Sequence, residues 1–196
     1  MPSATSPKLR SPWVEFLSEV DRRLPGPVEL HCLGGFVVAM QYGLPRATGD
    51  VDYIEIRPQE AMKVLEEIAG RDSVLARKHG LCFHHVGIVT PPESYADRLI
   101  GLLPGQFRNL RLFALEAHDL ALCKLERNLP VDREDVAHLA KTAPLDPAVL
   151  RERYERELRP NVMGDVKRHD RTLEMWIAAY FARGEWPGRL RPGELA

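Results

Sequence analysis

Two glycines and two carboxylates within one short stretch are the residues of this chain best suited to chemistry. In Val28–Ile56 an apolar run ends at Gly34-Gly35, a short apolar segment follows, and Arg46-Ala-Thr48-Gly-Asp50-Val-Asp52 opens a second apolar run. That second run contains β-branched residues and reads as a strand, on which side chains two apart share a face. Asp50 and Asp52 then project together, with Cα atoms roughly 6–7 Å apart from the strand rise. Carboxylates that close repel unless a cation or a proton lies between them. An oxygen-rich pair at the mouth of a sheet suits Mg²⁺, which commonly takes one or two carboxylates and completes its shell with phosphate and water.

The elements that must position these residues follow from periodicity and punctuation. Ser11-Pro12 predicts an N-cap and a proline in the first helical position, and Trp13, Phe16, Leu17 and Val20 form an i, i+3, i+4, i+7 stripe for a helix over 12–24. Strand 28–33 leads to Gly34-Gly35, a helix over 36–42 and strand 50–56. Pro58 predicts a helix over 58–69, followed by a short one over 72–79, with Gly70 and Gly80 as stops. Leu81–Thr90 reads as a strand, and Tyr95–Leu103 and Leu110–Leu115 as weaker ones. From Asp119, read as a cap, the pattern is helical: about 119–128, 132–142, 146–158 and 165–183. In the last, Leu173, Trp176, Ile177, Tyr180 and Phe181 read as a core stripe. The order predicts an α/β (α+β) domain over 11–118, a helical region over 119–183, and flexible termini at 1–10 and 184–196.

Composition excludes several classes. The 44% apolar content is that of a globular chain, and no apolar run approaches the ~20 residues of a membrane helix. The N-terminal residues lack the apolar core of a signal peptide, so a cytoplasmic location and no membrane partner are expected. A formal net charge of −1 excludes a globally basic nucleic-acid binder. Cys32, Cys82 and Cys123 are far apart and lie among apolar residues, which predicts buried free thiols. His84-His85 point to opposite faces of a strand and read as filler. His169-Asp170 lacks the upstream histidines of a hydrolase metal motif. Residues 151–171 hold seven Lys/Arg against five acids, which reads as a solvated helical face.

Gly-Gly after a first strand, a short helix and then Arg-x-Thr-x-Asp-x-Asp resembles the nucleotidyltransferase superfamily related to DNA polymerase β. The later stretch Asp119-Leu-Ala-Leu-Cys-Lys124-Leu-Glu-Arg127-Asn-Leu-Pro-Val-Asp132-Arg133-Glu-Asp135 looks like the Lys-Leu … Arg … Asp segment of the abortive-infection type nucleotidyltransferase toxins and their bacterial relatives. The likeness covers roughly residues 28–140. It implies a small mixed sheet with flanking helices and a nucleoside triphosphate as substrate, bound by Gly34, Gly35, Arg46, Thr48 and Lys124. It further implies Mg²⁺ or Mn²⁺ on Asp50 and Asp52, with Lys124 and Asp135 completing a catalytic set. The acceptor it implies is an RNA such as a tRNA end, or a protein side chain, with a place in a toxin–antitoxin pair beside a cognate antitoxin.

Physical chemistry supports this carry-over. Glycines at a strand-to-helix turn let backbone N–H groups approach a phosphate closely, and Thr48 is placed to orient Asp50 or mark the turn. Blander roles stand beside the functional ones: a simple tight turn for the glycines, solvated turn residues for the aspartates, a solvated helical face for Lys124 and Arg127, and a capping role for Asp135. The superfamily's third carboxylate commonly comes from a later strand, where the expected position falls on Gly87, with Asp97 or Asp135 as substitutes. A catalytically inactive module that binds nucleotide or protein is therefore the competing expectation.

Overall fold

A computed structural model describes residues 11–181; both expected flexible termini, 1–10 and 184–196, lie outside the described residues, as do the last two positions of the expected helix 165–183. The chain divides into two compact units. Of the described residues, one takes in 11–89 together with Tyr95–Glu116; the other takes in Thr90–Ser94 and 117–181.

The first unit is built on a five-stranded mixed sheet. Its elements in order are α1 (Trp13–Arg23), β1 (Val28–Leu33), α2 (Gly34–Tyr42), β2 (Asp50–Arg57), α3 (Ala61–Ala69), α4 (Val74–His79), β3 (Cys82–His85), β4 (Ile100–Leu102) and β5 (Leu110–Ala114). The strands lie in the order β3-β2-β1-β5-β4. β1 pairs antiparallel with β2 and parallel with β5, and β2 pairs parallel with β3. Val51, Tyr53 and Ile56 of β2 are buried while Asp50 and Asp52 are not, so alternation along this strand separates core from candidate chemistry. Phe16, Leu17 and Val20 of α1 are fully buried. Asp21 on the same helix accepts from the backbone N–H groups of Arg108, Asn109 and Leu110, which ties the entry of β5 to α1. Burial would raise the Asp21 carboxyl pKa, but these three N–H groups outweigh it and hold it below the usual range.

The second unit is helical: α5 (Ala117–Leu122), α6 (Pro130–Thr142), α7 (Pro147–Arg153) and α8 (Val166–Phe181). Between α7 and α8 the chain makes a π-type turn over Tyr154–Leu158 and a 3-10 turn over Arg159–Asn161. Leu173, Trp176 and Ile177 of α8 are buried, and Tyr180 and Phe181 are half-buried. The Ser94 N–H donates to Glu157, which anchors the short segment Thr90–Ser94 in this unit. Among the described residues no helix is long and apolar enough to cross a membrane.

Several local expectations change. Pro12, not Ser11, occupies the N-cap position of α1. Pro58 lies in a turn closed by the Ala61 N–H, and α3 begins at Ala61. The expected strand Leu81–Thr90 stops at His85, because the ladder to β2 ends there and Ile88 is exposed, so β propensity finds neither partner nor cover. Tyr95–Arg98 is a 3-10 turn, leaving only Ile100–Leu102 as strand. Asp119 lies inside α5 rather than capping it; its fully buried carboxylate holds Arg153 at 3.0 Å. α5 ends at Leu122, well before Asn128.

Candidate functional site

β1 ends beside the start of β2, with Leu33 opposite Asp52. The chain turns at once into α2 through Gly34, whose φ of +78° lies in the left-handed region that favours glycine. A Cβ on Gly34 would stand 2.4 Å from Asp52 Oδ2, closer than non-bonded atoms tolerate. The glycine thus serves both the turn and the carboxylate. A Cβ on Gly35 would meet Arg46 Nη2 at 3.4 Å and Thr48 Oγ1 at 3.5 Å, so both side chains lie against the glycine turn. The Thr48 hydroxyl donates toward Asp50, with Oδ1 at 3.2 Å and the backbone oxygen at 3.3 Å. In this unit Gly34, Gly35, Arg46, Thr48, Asp50 and Asp52 come together.

A seventh residue joins them, one that reads as filler in the sequence alone. β3 runs parallel to β2 in a register that puts Asp50 opposite Cys82 and Asp52 opposite His84. His84 Nδ1 stands 2.9 Å from Asp52 Oδ1, on a side chain that is half exposed. Asp50, Asp52 and His84 can each offer one donor atom, and the three atoms lie within 4.8 Å of one another. Donors on a common Mg²⁺ at about 2.1 Å can be no more than about 4.2 Å apart, so small side-chain rotations would bring all three within reach of one ion. The residues present fit a divalent cation. Gly87, on which the third acid expected from the resemblance falls, lies beyond the end of β3 and is exposed. Asp97 belongs to the turn before β4, at the far edge of the sheet from β3. The position facing the aspartates is a histidine. Only the strand register reveals it.

In the helical unit Lys124 and Asp135 meet directly. Lys124 Nζ donates to Asp135 Oδ2 at 2.6 Å and lies 3.6 Å from Asp132 Oδ1, all three side chains being buried. Lys124 is therefore not part of a solvated face. Arg127 forms a bidentate pair with Asp132, at 2.8 and 2.6 Å. The back-bonding acid of this helix start is also Asp132, which accepts from the Leu129 N–H at 2.9 Å. Helix α6 begins two residues earlier than expected, at Pro130, and that moves the capping role from Asp135 to Asp132. Burial would raise the Asp132 pKa, but the Arg127 hydrogen bonds, the Leu129 N–H and the Lys124 charge together hold it below the usual aspartate range.

Other candidates have structural partners. Asp170 is held by Tyr154 and Arg159, and buried His169 faces Glu126, so this pair forms no shared metal motif. Arg151, Arg153, Arg156, Arg159 and Arg168 each pair with a carboxylate, which leaves the 151–171 stretch without a broad basic face. Cys32, Cys82 and Cys123 are free thiols, all buried as expected.

No curated protein and no solved structure matches this chain. A family model does, over residues 15–181, and it takes in both the glycine–aspartate stretch and the Lys124–Asp135 segment. The chain belongs to the family described as Nucleotidyltransferase of unknown function (DUF6036).

Proposed function

We propose that the protein is a metal-dependent nucleotidyltransferase that passes a nucleotidyl group from a nucleoside triphosphate to a hydroxyl of an RNA or protein acceptor. The observation carrying this reading is the convergence of Asp50 and Asp52 on the glycine turn of Gly34-Gly35, with Arg46 and Thr48 packed against it. Asp50 and Asp52 hold the cation, Mg²⁺ or Mn²⁺, and Thr48 fixes the orientation of Asp50. The cation, when bound, stabilises the charge that develops on the phosphates. Gly34 and Gly35 offer backbone N–H groups to the triphosphate, and Arg46 adds a guanidinium beside them. Lys124 is assigned to the triphosphate by the resemblance, with Asp135 as its positioning residue, which the 2.6 Å pair suits. In the reaction the acceptor oxygen bonds to the α-phosphorus, the bond to the β,γ-diphosphate breaks, pyrophosphate leaves, and the hydroxyl proton passes to solvent. The same resemblance points to a toxin paired with an antitoxin and to a tRNA end as one acceptor.

A second reading is a non-catalytic member that binds nucleotide or a protein partner. The observation favouring it is that β3 presents Cys-Phe-His-His and no carboxylate to β2. One experiment separates the two. Each labelled nucleoside triphosphate is incubated with total RNA or bacterial lysate and either the wild-type protein or an Asp50→Ala/Asp52→Ala variant. Label transfer by the wild type alone is the expected result. Equal transfer by both proteins would sink the first reading, and nucleotide binding by calorimetry without transfer would establish the second.

A further inference from the structure

We propose that His84 is a third protein ligand of the cation held by Asp50 and Asp52, and that its imidazole tilts the centre from Mg²⁺ toward Mn²⁺. The inference rests on the metal-binding reading above and goes beyond it by assigning a nitrogen donor and a metal preference.

Three observations place His84 in this role. The parallel register sets it directly opposite Asp52, on the sheet face that also bears Asp50, since residues 50 and 52 alternate with the buried Val51 and Tyr53. Its Nδ1 already stands 2.9 Å from Asp52 Oδ1. Its side chain is 47% exposed, so hydrophobic packing does not account for where the ring points. His85, one residue on, pairs with Tyr53 and lies tilted against its ring at a centroid distance of 5.3 Å, which commits it to the opposite face. Both histidines border a cavity of about 300 Å³ that Tyr53, Phe83 and Arg71 also line.

The alternative for His84 is a plain hydrogen bond to Asp52, and an exposed pair of that kind adds little stability. Coordination accounts for more of the geometry. Two carboxylates brought this close repel, and a cation relieves both while accepting the imidazole lone pair. Mg²⁺ prefers oxygen donors and keeps its waters, whereas imidazole suits later divalent metals. Mn²⁺ accepts a mixed oxygen and nitrogen set and reports its ligands through its electron spin.

The test uses the full chain titrated with Mn²⁺, with and without a non-hydrolysable nucleoside triphosphate, followed by pulsed electron paramagnetic resonance. The wild type should show the ¹⁴N modulation of a coordinated imidazole. His84→Ala should lose it, His84→Asp should retain bound Mn²⁺ without it, and His85→Ala should keep it. By calorimetry, His84→Asp, which exchanges the nitrogen donor for oxygen, should lower the ratio of Mn²⁺ to Mg²⁺ affinity. Circular dichroism of each variant checks that the exposed edge position tolerates the change. Bound Mn²⁺ with no nitrogen modulation in the wild type would overturn the assignment of His84 and leave the metal site standing. Modulation that survives His84→Ala would also overturn it. Failure of the wild type to bind Mn²⁺ or Mg²⁺, even with nucleotide, would remove the metal-binding reading itself.

Discussion

At Gly34 two independent constraints meet on one residue. The backbone has φ +78°, and the space a methyl group would fill is occupied by Asp52 Oδ2 at 2.4 Å. A Gly34→Ala change must strain the turn, displace the carboxylate, or both. It should destabilise the protein by about 1–3 kcal/mol, from the backbone preference and the local clash. Urea denaturation measures this, and Mn²⁺ affinity of the folded variant should fall as well. Wild-type stability and metal affinity in Gly34→Ala would show that the close approach to Asp52 is unimportant. Gly35 is less constrained, since its neighbours Arg46 Nη2 and Thr48 Oγ1 are side-chain ends at ordinary contact distance.

At the scale of elements, the start of α6 is where sequence and packing are most tightly joined. Asp132 accepts the Leu129 N–H, takes both arms of Arg127 and lies 3.6 Å from Lys124 Nζ, with its own side chain 1% exposed. Replacing it with Asn keeps the shape and removes the charge. Asp132→Asn should destabilise the protein by about 1–3 kcal/mol at neutral pH. That range is set by hydrogen bonds to charged groups and held down because Arg127 is largely exposed. The sign of its pH dependence follows from the lowered carboxyl pKa. The unfolded chain binds a proton at Asp132 before the folded one does, so the contribution is present above the usual aspartate range and is lost as pH falls below it. The stability gap between wild type and Asp132→Asn should therefore narrow from neutral pH to below about pH 4 in urea titrations. A gap unchanged across that range would mean the Asp132 charge contributes nothing to this helix start.

Across the whole molecule, the three thiols report on folding in both units. Cys32 belongs to the sheet unit and Cys123 to the helical unit, and burial pushes both thiol pKa values well above normal. Cys82 is also raised, by burial and by the charge of Asp50. Thiolate is the reactive form, so a disulfide reagent should modify Cys32 and Cys123 only when their units open. Labelling in native buffer should run at least about a thousandfold slower than in denaturant, given ordinary domain stabilities. Mass spectrometry of peptides assigns each site, and rapid native labelling of either cysteine would refute its burial.

Elements whose signals are local are legible in the amino-acid sequence. The alternation that keeps Asp50 and Asp52 out of the core while burying Val51 and Tyr53 is written in β2, and Gly34-Gly35 marks the strand-to-helix turn that the backbone requires. The helical stripe of α1 is equally plain. Expectations failed where the deciding partner is distant in the chain. Val86–Val89 has strand propensity, but past the Val86 N–H, which donates to Tyr53, the ladder to β2 has ended, so β3 stops at His85. Asp119 looks like a cap until Arg153 claims it inside α5. Thr90–Ser94 joins the helical unit through Glu157, which lies more than sixty residues later. His84 is the clearest case: adjacent histidines in a sequence state only that they face opposite ways. Which of them meets the aspartates depends on the pairing of β3 with β2, and register is a property of two strands and the sheet that holds them.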